Sequence, residues 1–225
     1  MANHLDLEEQ EQLEQLKYFW KQYGSLINAV LIAILLAVAG WNLYQYWQRT
    51  QAAQAAALYD EFERVARSGD TTRLDRVLGD MRDKFGSTSY AQQAGLLAAR
   101  VYFDAGKLDA AKSALIWVAE KSSDEGYQAI ARLRLAGVLL DAKAYDEALK
   151  QLSGPFSPEF AALAADRRGD VLLAQGKKSE AGAEYLKAYK ALGQDNEYRL
   201  LIDVKLAALG LNAKAGAQDA SGEKK

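Results

Sequence analysis

The chain has 225 residues, half of them apolar, 26% charged and only two of them proline, so it is long enough for one sizeable domain with appendages and favours helix. Its net charge is −2, and residues 1–24 hold −3 of that through Asp6, Glu8, Glu9, Glu11 and Glu14 against Lys17 and Lys21; the remaining 26 basic and 25 acidic residues are too balanced for a nucleic-acid footprint. There is no cysteine and the one histidine is His4, which excludes disulfides, thiolate chemistry and zinc ribbons, and leaves the domain without a histidine for a triad or metal centre.

Residues 1–23 read as an acidic amphipathic tail with Leu13, Leu16 and Trp20 on one helix face. Its acids would be repelled by anionic lipid, so a protein partner suits it better than a membrane surface. Residues 24–47 read as a transmembrane helix. No charged side chain occurs from Gln22 to Gln48, and Leu26 to Trp41 runs LINAVLIAILLAVAGW. Twenty-two residues from Leu26 span about 33 Å as a helix, enough for a hydrocarbon core of about 30 Å. Tyr18, Phe19, Trp20 and Tyr23 precede the run, and Trp41, Tyr44, Tyr46 and Trp47 follow it, as two interfacial belts. Ala37-Val38-Ala39 before Gly40 has the small residues of a signal-peptidase site, but the long acidic start and the helix-compatible continuation favour retention. Lys17 and Lys21 against Arg49 place the tail in the cytoplasm by a margin of one charge. Ser25, Ala29, Ala33 and Ala37 stack small side chains on one face; a close helix–helix packing face and the mere abundance of alanine in membrane helices both account for them.

Residues 48–212 read as a repeat domain. The Ala-rich run from Gln51 to Leu58 can continue the membrane helix outward, which would hold the domain close to the bilayer. Self-alignment superposes Ala111, Ala148 and Ala181 at spacings of 37 and 33 residues. In the same register fall Gly106, Lys143 and Gly176 at a turn; Leu115, Leu152 and Tyr185; Tyr102, Leu139 and Leu172; and Ala99, Ala136 and Gly169. Small residues belong where paired helices cross closely, large ones in the gaps between pairs. These offsets resemble the tetratricopeptide repeat, without its first-helix tryptophan. A more divergent hairpin is expected over residues 52–85, turning near Ser68-Gly69-Asp70, and a capping helix from Tyr198 to Leu209. The fold expected is therefore all-α: a transmembrane helix, then an α-solenoid of about four helical hairpins plus a cap. Residues 213–225 are expected to be disordered.

Stacked helix pairs curve, and the first helix of each pair faces the concave side. By repeat position Leu96, Arg100 and Phe103 belong there from one hairpin, Leu133, Gly137 and Leu140 from the next, and Asp166, Asp170 and Leu173 from the third. Apolar anchors with a charged rim suit a helix or extended segment of a partner protein. Gly176-Lys177-Lys178-Ser179 has the look of a phosphate-loop ending, yet lacks the upstream glycine and joins two helices. Asp166 and Asp170 beside Arg167 and Arg168 read as an ion network on one helix face, not as a catalytic pair. No enzyme activity, cofactor, metal or small-molecule substrate is expected.

Taken together, the chain resembles the YfgM-type ancillary subunits of the SecYEG translocon, inner-membrane proteins of Gram-negative bacteria. The resemblance is carried by Leu13-Glu14-Gln15-Leu16-Lys17-Tyr18-Phe19-Trp20 leading into Gly24, by Gly40-Trp41 and Tyr46-Trp47, by Leu133-Arg134-Leu135-Ala136, and by Asp166-Arg167-Arg168-Gly169-Asp170 with Gly176-Lys177. It implies a single-pass inner-membrane protein with a cytoplasmic N-terminus and a periplasmic domain. It also implies partners: the SecYEG channel, a PpiD-like membrane-anchored periplasmic chaperone, and secretory client proteins handed on to folding factors. A stress-response regulator acting through its cytoplasmic tail, or a scaffold for another envelope complex, is the alternative.

Overall fold

The structure, a computed structural model, describes residues 7–212. His4 and the expected disordered tail, residues 213–225, lie outside the described residues. Nine elements occur among the described residues, all of them α-helices: α1 (Leu7–Ser68), α2 (Thr71–Phe85), α3 (Ser89–Asp104), α4 (Leu108–Lys121), α5 (Glu125–Asp141), α6 (Tyr145–Leu152), α7 (Pro158–Ala174), α8 (Lys178–Ala191) and α9 (Tyr198–Ala208). They fall into two compact units divided between Ala53 and Gln54.

The first unit is the N-terminal part of α1. It carries an 18-residue window of mean hydropathy 2.2, none of it buried inside the protein, so the helix is long and apolar enough to cross a membrane. Leu31, Ile32, Ile34, Leu35 and Leu36 are exposed around its circumference, unlike the one-sided stripe of a helix packed on a soluble core. The polar groups near the end of the run are satisfied locally: the Asn42 amide donates to Val38 O at 2.9 Å and the Thr50 hydroxyl to Tyr46 O at 3.0 Å. Trp20 lies over Gly24, where an added Cβ would sit 3.2 Å from the indole nitrogen. No glycine or proline interrupts the sequence from Trp41 to Arg67, and the helix is unbroken through the Ala-rich run.

The second unit is the repeat stack. The end of α1 forms a hairpin with α2, tied by Arg73 to Glu61 at 3.0 Å, and meets α3 through the rings of Tyr59 and Tyr90. Beyond it α3 packs on α4, α5 on α6 and α7 on α8, with α3 also meeting α5 and α5 meeting α7. The Asp70 carboxylate caps α2 through the backbone N–H groups of Thr72 and Arg73 at 3.1 and 3.0 Å, after Gly69 turns the chain at φ +70°. The other three hairpins close on one recurring motif. The N–H groups of Lys107, Ala144 and Lys177 donate to the carbonyls of Tyr102, Leu139 and Leu172 at 2.8–2.9 Å, across residues 106, 143 and 176 in the left-handed region. Two of those are glycine; the third, Lys143, holds φ +58° despite its Cβ.

The superposed positions behave alike. Ala111, Ala148 and Ala181 are fully buried, and so are Leu115, Leu152 and Tyr185 one turn further along the same helices. Ala99 and Ala136 are buried as well, and Gly169 replaces alanine where the opposing residue is the larger Tyr185. An added Cβ on Gly169 would fall inside van der Waals contact with the Tyr185 ring. One core runs from α1 to α7 and a second joins α7, α8 and α9, with Leu149 touching both. Ile202 and Leu206 seal the far end.

Candidate partner-binding groove

Positions i, i+4 and i+7 of a helix share a face, and the sequence puts Leu96, Arg100 and Phe103 at those offsets on α3 and Leu133, Gly137 and Leu140 on α5. The structure brings five of these six together. Leu96, Arg100, Phe103, Leu133 and Gly137 line one cavity of about 520 Å³ within the repeat stack. Leu140 is half-buried against the main core and does not line it, and Leu173, at the equivalent place on α7, is 38% exposed outside it.

Asp166 and Asp170 take a different position from the open face their register suggests. Asp166 is 2% exposed. It accepts hydrogen bonds from the Tyr198 hydroxyl at 2.7 Å and the Lys205 ammonium at 2.6 Å, and Lys205 also bonds Asp170 at 2.6 Å. The Tyr185 hydroxyl donates to Asp170 at 2.9 Å. Both carboxylates are thus occupied by α8 and α9, so they fasten the capping helix.

The run from Asp166 to Asp170 gives every residue such a task. Arg168 donates to Leu152 O at 2.9 Å and to Glu184 at 2.8 Å. Arg132 reaches Gln151 O and Pro155 O from the other side, at 2.9 and 3.0 Å. The carbonyls that the short α6 leaves open are therefore capped by two arginines. Gly169 admits Tyr185, and Arg167 turns to the cavity. Burial pushes the Glu184 carboxyl up, but hydrogen bonds from Lys187 and Arg168 outweigh it and hold the group below its usual range.

Register alone misses the cavity's other charged residues. Arg134 and Arg167 follow directly after the face positions Leu133 and Asp166, at matching repeat positions 33 residues apart, and a long side chain reaches past the face its Cα defines. Tyr59 comes from α1. Ser25, Ala29, Ala33 and Ala37 lie along α1 in the first unit, all exposed.

Three phenols, Tyr102 and Tyr185 buried and Tyr198 half-buried, recur at helix–helix contacts: Tyr102 on Asp75, Tyr185 on Asp170 and Tyr198 on Asp166. Burial, reinforced by the neighbouring carboxylate, raises each phenol well above its ordinary value near 10. A folded-state pKa above the unfolded one contributes stability that is fully present below the unfolded value and is lost as pH rises past it. The domain is expected to hold its helicity up to about pH 10 and then unfold cooperatively, these phenolates forming only as it does. Parallel titrations of far-ultraviolet ellipticity and phenolate absorbance check this; full ionisation of all tyrosines in a still-helical domain contradicts it.

A family described as tetratricopeptide repeat-like domain matches residues 17–211. An ancillary SecYEG translocon subunit of Neisseria gonorrhoeae is 37% identical over 210 residues, 93% of this chain and all of the relative. Proteins of the same name from Haemophilus influenzae and Escherichia coli K12 are 29% and 28% identical, over 84% and 81% of this chain and 92% and 88% of their own lengths. No solved structure matches the chain significantly.

Proposed function

The chain belongs to the tetratricopeptide repeat-like family of YfgM-type ancillary SecYEG translocon subunits, and from that premise we propose that it is a non-catalytic, membrane-anchored scaffold of the translocon that grips other polypeptides in its repeat stack. Residues 24–47 cross the bacterial inner membrane once, residues 1–23 lie in the cytoplasm, and residues 48–212 work in the periplasm. The partners on that side are the SecYEG channel, a PpiD-like chaperone and secretory clients passing between them. Within the membrane, Ser25, Ala29, Ala33 and Ala37 form the face against which a partner helix packs.

The cavity carries this reading. Equivalent positions of successive repeats, Leu96 with Leu133 and Arg100 with Gly137, line one concave space of a size that accepts large side chains. Arg100→Glu combined with Phe103→Ala alters its wall at two exposed positions. The pair is expected to abolish co-purification of the translocon and chaperone partners from membranes while leaving far-ultraviolet ellipticity unchanged. Undiminished co-purification removes the groove from the account. A regulator acting through its tail is the second reading, favoured by the exposed Leu13 and Leu16 in the early turns of α1. Deletion of residues 1–16 separates the two, because a scaffold keeps its envelope partners and a tail-driven regulator loses its effect.

A further inference from the structure

The cavity is charged. Arg100, Arg134 and Arg167 reach it from α3, α5 and α7, against Asp141 as the one carboxylate in its wall. A guanidinium offers five N–H donors, and these three use few of them. Arg100 meets Asp104 at 3.7 Å, Arg134 donates one long bond of 3.4 Å to Leu96 O, and Arg167 stands 3.7 Å from Asp170. Asp170 is itself already bonded to Lys205 and Tyr185.

Gly137 adds a second, independent observation. It lies inside α5 without a positive φ, and an added Cβ would meet nothing nearer than the Arg167 guanidinium at 3.9 Å. Glycine within a helix is disfavoured relative to alanine, and here neither a close approach nor an unusual backbone angle calls for it. Its effect is to keep the cavity open beneath Arg167.

We propose that this cavity receives an acidic-apolar segment of a partner polypeptide. A large aliphatic or aromatic side chain enters against Leu96, Leu133 and Phe103, and flanking Asp or Glu carboxylates pair with Arg100, Arg134 and Arg167. The proposal rests on the groove reading above and narrows it to one ligand chemistry. Carboxylates meet guanidinium groups in planar, charge-assisted pairs. A neutral apolar segment would cover the arginines and leave their donors without acceptors, and a basic segment would set cations against them.

The full chain in detergent, titrated against a fluorescent Asp-Glu-Leu-Phe-Asp-Glu peptide and its Asn/Gln isostere, tests this by anisotropy. The acidic peptide is expected to bind about tenfold or more tighter than the isostere. Arg134→Gln with Arg167→Gln should bring it down to the isostere's level, and Gly137→Trp, filling the cavity, should abolish both. If Gly137→Trp loses helicity, the arginine pair alone decides. Equal binding of the two peptides, each lost on filling the cavity, overturns the charge assignment and leaves the groove standing. Acidic-peptide binding undiminished by a folded Gly137→Trp overturns both readings. Failure of the acidic peptide to bind, while Arg100→Glu with Phe103→Ala still loses its partners, overturns this proposal alone.

Discussion

Replacing Asp166 with alanine is expected to destabilise the repeat domain by about 2–3 kcal/mol, a fall of roughly 5–10 °C in its melting temperature. Asp166 is almost wholly buried and accepts from both Tyr198 and Lys205. Removing it strands a phenol and takes one of two carboxylates from an ammonium whose side chain is only 23% exposed. Breaking one side of a buried pair costs more than the pair contributes in the first place, since the remaining group keeps its desolvation penalty. The loss sits at the lower end of the range because Lys205 retains Asp170. Thermal melts of Asp166→Ala, Lys205→Met and the double variant measure the coupling. A cost below about 0.5 kcal/mol for Asp166→Ala would show that α9 is held by Ile202 and Leu206 alone. Hydrogen exchange should locate the loss, with the α9 amides opening ahead of those in α3 to α5.

The same network shows where sequence reasoning reaches and where it stops. The hairpins are legible because their determinants are local and repeated. Gly106 and Gly176 at the turns, the buried Ala111, Ala148 and Ala181, and the cap at Tyr198 stand at fixed offsets, and the structure keeps every one. Even Lys143, an unusual residue for its φ, is identified by register as a turn position. The continuity of α1 was legible in part, as a run of helix formers without a breaker. Register sets the face a Cβ leaves from, but not what the end of the side chain meets. Asp166 and Asp170 occupy groove positions by count, yet an ammonium from 35 to 39 residues further on claims them. Arg134 and Arg167 are one residue off the counted face and reach the cavity through the length of their side chains. In both cases the decisive group is a long cationic side chain, Lys205 in the first and the two arginines in the second, reaching across to other helices, and no window along the chain contains that meeting.

Gly169→Ala is expected to cost about 1–3 kcal/mol, and the size of Tyr185 is the reason. The new methyl group would press on the buried ring, which a hydrogen bond to Asp170 holds in place. The two preceding repeats solve the same crossing with Ala99 and Leu115 and with Ala136 and Leu152. Tyr185→Leu alone should also destabilise, by about 2–3 kcal/mol, through the void beside Gly169 and the lost hydrogen bond. The double variant restores the neighbours' pairing, so its cost should fall short of the sum of the two by about 1 kcal/mol or more. Urea denaturation of the four proteins measures this, and strictly additive costs would show that the two positions are not matched in volume. The consequence reaches the cavity, because Gly169 lies between Arg168, which caps α6, and Asp170, which bonds Tyr185. A methyl group that displaces α7 from α8 moves Arg167 with it. Gly169→Ala should therefore weaken acidic-peptide binding as well as stability, and Tyr185→Leu in the same chain should recover part of both.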